Sequence, residues 1–180
     1  KAALDVKLID GEEQGLISVH EERLINSIFD FRETIASEIM TPSAEMVCAD
    51  ITTSIPELIR LINEEGYTRI PIYKDNPDQI VGFLHAKDLL RICARGSDAD
   101  FNLKEFLNPV TFIPESKPIT ELLREFQLKK MHMVIVVDEF GGVRGLVTLE
   151  DVIEEIVGEI DDEHDDEDNE LRVVDERTVI

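Results

Sequence analysis

The residues best suited to ligand chemistry lie in the string Gly145-Leu146-Val147-Thr148-Leu149-Glu150-Asp151, where an apolar run meets a helical pattern. Thr148 and Asp151 stand one helical turn apart at the predicted helix start. Their spacing is typical of a capping box, which contributes about 1 kcal/mol. The same hydroxyl and carboxylate can also form hydrogen bonds with a cis-diol such as a ribose. Because Gly145 has no side chain, we expect that a ligand can approach the strand backbone there.

The same join occurs earlier in the chain as Gly82-Phe83-Leu84-His85-Ala86-Lys87-Asp88. The glycine and the aspartate keep their spacing, whereas His85 stands where the later copy has Thr148. We call residues 82–88 the first-repeat join and residues 145–151 the second-repeat join. Their recurrence predicts that the chain is a tandem structural repeat.

Each join lies in the same longer order of strand, helix, strand, turn, strand and helix, within about sixty residues. A unit of that size buries little apolar surface alone, so we predict two units packed sheet against sheet, with a ligand cleft between them. The first repeat has apolar helix faces at Ile55, Leu58, Ile59 and Ile62 and at Ala86, Leu89, Leu90 and Cys93, strands at 69–73 and 80–84, and a turn at 75–78. The second repeat has apolar helix faces at Ile119, Leu122, Leu123 and Phe126 and at Leu149, Val152, Ile153, Ile156 and Val157, strands at 133–137 and 143–147, and a turn at 138–142.

Composition restricts the classes of partner. The chain has 180 residues, of which 43% are hydrophobic, which is sufficient for a core. Its net charge of -22 repels phosphate backbones, so nucleic acid is a poor partner. The longest aliphatic run, 133–137, is far shorter than the ~20 residues that a spanning helix needs. The isolated Cys48 and Cys93 predict neither a disulfide nor a zinc site, which favours a reducing, cytosolic setting.

The flanking segments predict further parts. Ser18-Val19-His20-Glu21 has the form of a capping box and predicts an N-terminal helix that caps the repeats. Residues 161–168 are acidic at every position except His164 and predict a solvated linker. Residues 171–174 and 178–180 read as strands of a further, truncated domain, so we expect an excised fragment. The predicted parts are an N-terminal linker and capping helix at 1–36, repeat 1 at 37–98, repeat 2 at 99–160, and the acidic linker with the start of a transporter-associated domain at 161–180.

From residue 37 to about 160 the chain resembles a tandem pair of CBS domains, also called a Bateman module. Three strings resemble the CorC/HlyC branch of magnesium and cobalt efflux and hemolysin-like proteins, namely residues 38–42, 66–73 and 145–160. The resemblance implies an α/β (α+β) fold of two β-α-β-β-α repeats packed as a pseudo-twofold pair. It also implies a regulatory module that binds AMP, ATP or a related adenosine compound between the repeats.

In that family the threonine and aspartate of this motif hold the ribose, which transfers to Thr148 and Asp151. The first repeat departs at His85, so we expect one good site, with Asp88 as the one matching ribose ligand of the other. The resemblance places an apolar adenine slot near the strands and makes Val47, Val110 and Val147 its candidates.

The phosphates of such a ligand require a local cation in so acidic a chain. Arg69, at a strand start, is the first candidate, with Lys87 and Arg144 behind it. Bound Mg²⁺ can replace or assist these side chains. The alternative for Arg69 is an ordinary surface ion pair.

Three interpretations remain open. The first is a nucleotide sensor: it forms a homodimer through its CBS modules, lies on the cytoplasmic side of the plasma membrane, and passes a change in packing to a transmembrane transport domain. The second is a structural dimerisation module with a degenerate ligand site. The third is divalent-metal sensing by residues 161–168. An enzyme is not expected, because no nucleophile is paired with a base and no Gly-rich phosphate loop is present.

Overall fold

Capping residues set the helix ends in the computed structural model, which describes residues 18–95 and 102–158. The Ser18 hydroxyl accepts a hydrogen bond from the Glu21 amide, and the Glu21 carboxylate accepts one from the Ser18 amide, which confirms the first capping box. Gly66 and Lys130 end the first long helix of each repeat in the left-handed region. In chain order the elements are α1 (Val19–Phe31), α2 (Ala36–Ile39), β1 (Thr41–Pro42), β2 (Ala49–Asp50), α3 (Ile55–Glu65), β3 (Arg69–Lys74), β4 (Asn76–His85), α4 (Ala86–Arg95), a 3-10 turn (Leu103–Phe106), β5 (Thr111–Pro114), α5 (Ile119–Lys129), β6 (Met133–Val137), β7 (Val143–Thr148) and α6 (Leu149–Val157).

The strands form two sheets that exchange their edges. One sheet has the order β2-β3-β4 and the other β1-β7-β6-β5. Within each, a parallel pair is followed by an antiparallel hairpin, β2 with β3 and β4 in one and β5 with β6 and β7 in the other. β1 precedes the first repeat's sheet in sequence but pairs with β7 of the second, and Asn108 makes the reciprocal bridge to Phe83 in β4. The predicted pseudo-twofold pair of repeats is therefore confirmed.

Three apolar clusters hold these layers together. The first repeat packs Leu58, Ile70 and Leu84, among others, between its sheet and helices. The second packs a larger cluster around Phe126 and Val147. A third cluster, Ile80, Ile135 and Val143, draws from both sheets and confirms that the repeats pack sheet against sheet.

The N-terminal helix covers the second repeat. Phe31, at the end of α1, and Ala36, at the start of α2, belong to the second repeat's core. The Ala36 amide donates to the Lys117 carbonyl, and Ile35 bridges to Pro118. The N-terminal helix, predicted to cap the repeats, therefore packs on the second repeat. Within the two described ranges, no helix combines the length and the apolar composition that a membrane span requires.

Two local predictions are wrong. The turn expected at 75–78 is a single residue, Asp75, whose φ of 65° reverses the chain so that Lys74 already pairs with Asn76. Leu90 does not share the buried face of α4. It is 73% exposed because Leu89 and Ile92 face the sheet instead. The turn at 138–142 is confirmed. The predictions for the linker and strands between 161 and 180 lie outside the described residues, and the division at 36, 98 and 160 stays a prediction.

Candidate functional site

A cleft of about 310 Å³ opens between the repeats, a volume within the range of small-molecule sites. The cleft is lined by the first residues of β3 and β6, the last residues of β7, the segment from β1 to β2 and the residues that follow the Gly66 helix end. The lining residues are Thr41, Glu45, Met46, Val47, Gly66, Tyr67, Thr68, Arg69, Pro71, Met133, Leu146, Thr148 and Glu150.

Thr148 lies in this cleft and is positioned by Asp151. It ends β7 and caps α6, accepting a hydrogen bond from the Asp151 amide at 3.2 Å. In return Oδ2 of Asp151 accepts from the Thr148 amide at 2.6 Å. The cap uses the acceptor side of the hydroxyl and one carboxylate oxygen, so a hydroxyl proton and a second carboxylate oxygen remain for a ligand. Asp151 is not among the lining residues, whereas Thr148, one turn before it, and its neighbour Glu150 are.

Strand alternation decides which apolar residues reach the cleft. Leu146 and Thr148 face it, whereas Val147 between them points to the opposite side and is fully buried in the second repeat's core. The predicted adenine contact of Val147 stays a prediction, and the apolar residue of β7 that lines the cleft is Leu146. Val47 lines the cleft as predicted. Val110 instead packs against the core cluster between the two sheets.

The reason for a glycine at position 145 also differs from the prediction. A Cβ built on Gly145 would collide with the Thr41 carbonyl and come within 2.9 Å of the Met40 sulfur. In the first repeat, a Cβ on Gly82 would come within 2.8 Å of the Asn108 carbonyl. The backbone that approaches each glycine is thus the exchanged edge segment of the other repeat. No ligand is needed to explain either glycine.

Arg69 is the cationic side chain of the cleft lining, at the start of β3. It is half-buried, and within residues 18–95 and 102–158 it makes no ion pair. Arg144, the other arginine considered, lies 3.5 Å from a Glu115 carboxylate oxygen and does not line the cleft. Glu45 and Glu150 add negative charge near Arg69. A phosphate in this cleft would therefore meet Arg69 directly and would need a cation to face the two glutamates.

The first-repeat join is built differently. Asp88 is only 8% exposed, and its Oδ2 accepts from the Asn108 side-chain amide at 3.1 Å. Its Oδ1 lies 3.5 Å from an Arg91 guanidinium nitrogen. The protein's own side chains contact both oxygens of this carboxylate, and it does not line the cleft, so its role as a ribose ligand stays a prediction.

His85 stands where the second-repeat join has Thr148, and its side chain also accepts a hydrogen bond from an amide at the helix start. Its Nδ1 accepts from the Lys87 amide at 3.3 Å, as a capping side chain would. Partial burial lowers the pKa of His85 below its ordinary value of 6.5, and the charges of Lys87 and Arg69 lower it further. The ring is therefore biased toward its neutral form.

Sequence reasoning missed several lining residues, among them Tyr67, Met133 and Glu150. Tyr67 is 51% exposed, and its position directly after the Gly66 helix end was a usable signal. Met133 was interpreted as core filler and is indeed buried, but its side chain also borders the cleft. Within the described residues, no group of three or more His, Cys, Asp or Glu side chains could hold a metal ion.

Comparisons with known proteins agree with the repeat. The sequence profile of the CBS domain matches residues 36–95 and 103–158. The magnesium and cobalt efflux protein CorC of Vibrio cholerae is 39% identical over 145 residues, which cover 81% of this chain and 50% of that protein. The chain spans between 33% and 36% of the first curated relatives that it matches.

Two solved structures are similar over nearly their whole length. The CBS domain of a bacterial CNNM/CorC family Mg²⁺ transporter in complex with ATP superposes with a TM-score of 0.73 at 46% identity, covering 78% of this chain and 99% of that one. A CBS-domain pair with bound AMP from Klebsiella pneumoniae gives a TM-score of 0.60 at 31% identity, covering 69% and 99%.

Proposed function

Since this chain belongs to the CBS domain family, as a tandem pair of the CNNM/CorC magnesium transporter type, we propose that it binds an adenine nucleotide and regulates a transport domain. The observation that carries the proposal is the cleft between the repeats, with Thr148 and its capping partner Asp151 at the helix start. The ATP and AMP complexes of similar CBS pairs support the ligand class. The proposed role is binding and not catalysis.

The cleft offers a place for each part of such a ligand. The Thr148 hydroxyl and the second oxygen of Asp151 would hold the ribose diol. Val47 and Leu146 would contact the adenine, with the backbone around Gly145 and Val147 behind them. Arg69 would face the phosphates. Glu45 and Glu150 would hold a Mg²⁺ ion, because hard carboxylate oxygens suit that cation, and its charge would offset that of the phosphates.

The regulatory step would require a second module and a membrane domain. Leu90 on α4 is 73% exposed, and Ile153, its equivalent on α6, is 44% exposed. Two apolar side chains at matching places on the repeats support a homodimer built on these helices. We propose that nucleotide binding favours one packing of the dimer and that a transmembrane transport domain of the parent protein responds, with this module on the cytoplasmic side.

Calorimetric titration of the chain with AMP and ATP, with and without Mg²⁺, tests the proposal. Thr148→Ala and Asp151→Ala should each weaken binding at least about tenfold, or 1.4 kcal/mol. Thr148→Ser keeps the hydroxyl and the cap, so its affinity should stay within about threefold of the parent chain. Glu154→Ala, on the exposed side of the same helix, is the matched control.

Two results would contradict the proposed site. If the folded parent chain binds no adenine nucleotide, or if Thr148→Ala and Asp151→Ala bind as well as Glu154→Ala, the ligand site is not the one proposed. The second candidate function, a dimerisation module with a degenerate site, would then account better for the exposed Leu90. Sedimentation of the parent chain beside Leu90→Glu would test it, because a buried charge at the interface should dissociate the dimer.

A further inference from the structure

Basic side chains lie together at the first-repeat join, although the chain has only 18 Lys and Arg against 40 Asp and Glu. Arg69 and His85 are register partners in the β3–β4 hairpin. Lys87 follows in the first turn of α4, its amide bonded to the His85 ring. His132 lies directly before β6. We call Arg69, His85, Lys87 and His132 the cationic cluster, because Arg69 and Lys87 carry positive charge and the two imidazoles can donate a hydrogen bond to an anion or gain a proton beside it.

The register of the hairpin and the hydrogen bond from the Lys87 amide bring Arg69 and Lys87 to the His85 ring. Lys87, Arg69 and His132 each act to lower the pKa of His85. Asp88 acts in the opposite direction, but it is a buried carboxylate already bonded by Asn108 and lying beside Arg91. Lys87 and His132 are exposed, and Arg69 and His85 are half-buried, so the cluster is open to a solute.

The matching positions of the other repeat lack this charge. The register places Met133 where Arg69 stands and Thr148 where His85 stands, since Met133 pairs with Thr148. Thr68 matches His132, because their carbonyls accept the equivalent Ala86 and Leu149 amides. Glu150 occupies the place of Lys87. The two joins therefore share a backbone but differ by several charges, and the difference favours an anion at the first.

We propose that the cationic cluster binds an oligophosphate chain, so that the first-repeat join serves as an anion site in place of a second nucleoside site. Arg69 belongs to both the cleft and the cluster, which makes the two sites continuous. The bound oligophosphate can thus be the phosphate tail of a nucleotide whose ribose lies at Thr148, a case that rests on the proposed function. It can also be a separate oligophosphate anion. The imidazole, ammonium and guanidinium groups of the cluster suit phosphate oxygens in either case.

Inorganic tripolyphosphate is the direct probe, because it needs no ribose or adenine contact. Its affinity for the full chain, measured by calorimetry, should fall at least about tenfold in Lys87→Gln and in His85→Asn. His85→Asn retains a side-chain acceptor for the Lys87 amide. Arg60→Gln, which removes an exposed cation paired with Glu64 on α3, is the control and should bind as the parent chain does. Equal binding by all four proteins, or no binding by the folded parent chain, overturns the proposal.

A second measurement follows His85 itself. In an NMR titration, saturating tripolyphosphate should raise the pKa of the His85 ring, because a bound anion favours the protonated form. The groups that face the ring are Lys87 and Asp88 of α4, Arg69 of β3 and His132 before β6. An unchanged His85 titration in the presence of bound tripolyphosphate would place the anion elsewhere and contradict the proposal.

Binding of AMP and ATP distinguishes a nucleotide's phosphate tail from a separate oligophosphate anion. If the cluster holds a nucleotide's own tail, Lys87→Gln weakens ATP at least about tenfold and AMP less than about twofold. If it holds a separate anion, tripolyphosphate still binds to protein saturated with AMP and with ATP, and ATP affinity is unchanged in Lys87→Gln. Should the parent chain bind tripolyphosphate but no nucleotide at all, the proposed function fails while the anion site stands.

Discussion

The two strand-to-helix joins have the same backbone plan and different chemistry. Both begin at a glycine that lies against the exchanged edge segment of the other repeat, and both place an aspartate at the same step of the following helix. In the second join Asp151 supports a threonine hydroxyl at the cleft. In the first, Asp88 is turned inward by Asn108 and a histidine takes the cap.

This difference separates what the fold requires from what a ligand requires. The glycines and the exchanged segments are common to both repeats, so they are explained by packing alone. The identity of the cap residue and of the residue on the crossing segment, Thr41 beside one join and Asn108 beside the other, is free to vary. A repeated motif is therefore better evidence for the architecture than for two equal binding sites.

The largest expected effect comes from the crossing glycines. Gly145→Ala should destabilise the chain by about 3 kcal/mol, because its Cβ meets the Thr41 backbone, which cannot rotate away as a side chain would. Gly82→Ala should cost about half as much, since the contact with the Asn108 carbonyl is longer. At 2–4 °C per kcal/mol, the melting temperatures should differ visibly between the two variants. Equal stability of both variants and the parent chain would mean that the segments do not cross as described.

The sequence was sufficient for the repeat, the capping boxes and most of each helix face, because these depend on local spacing, but it wrongly placed Leu90 and Ile153 on buried faces. It did not lead to Leu146 rather than Val147 at the cleft, although the alternation of Arg144 and Thr148 with Val143 and Val147 along β7 was a usable signal. Nor could it place Asn108 beside Asp88, a contact between residues 20 positions apart that depends on the exchanged edge. The lining residues were missed for the same reason: they come from several elements that only the paired repeats bring together.

An intermediate effect is expected when the first join is rebuilt as the second. His85→Thr alone should leave the stoichiometry at about one nucleotide per chain, because Asn108 still occupies Asp88. His85→Thr combined with Asn108→Thr restores both the hydroxyl and a free carboxylate, and calorimetry should then approach about two nucleotides per chain. The reverse change, Thr148→His, should abolish nucleotide binding.

The outcomes of that exchange discriminate between explanations. A second site in the single variant would mean that Asn108 does not restrain Asp88. A single site in the folded double variant would mean that residues outside the joins set the number of ligands. Asn108→Thr alone serves as the control, since it frees Asp88 while retaining the histidine cap.

The repeats also differ on their outer helices. At α5, Nζ of Lys117, two residues before the helix, lies 2.6 Å from one oxygen of Glu125, and Nζ of Lys129 lies 2.9 Å from the other. Counted from the helix start, Leu61 of α3 stands where Glu125 does. These hydrogen bonds lower the pKa of Glu125 from 4.5 to about 2. An ion network thus supports one repeat where an apolar side chain supports the other.

The smallest effect should come from removing that network, and its pH dependence has a definite sign. Because the folded pKa of Glu125 is depressed, its stabilisation is present above the ordinary value of 4.5 and is lost as the pH falls toward about 2. Glu125→Gln should therefore lower the free energy of unfolding by about 1 kcal/mol at pH 7, after allowance for solvent screening. The difference in the free energy of unfolding between Glu125→Gln and the parent chain, measured from urea unfolding curves, should become smaller below pH 4.5. Glu121→Gln, whose side chain is 64% exposed, should change stability less at every pH. A gap that stays constant down to pH 3 would assign the effect of Glu125 to packing, and the two repeats would then differ in their joins but not in their outer helices.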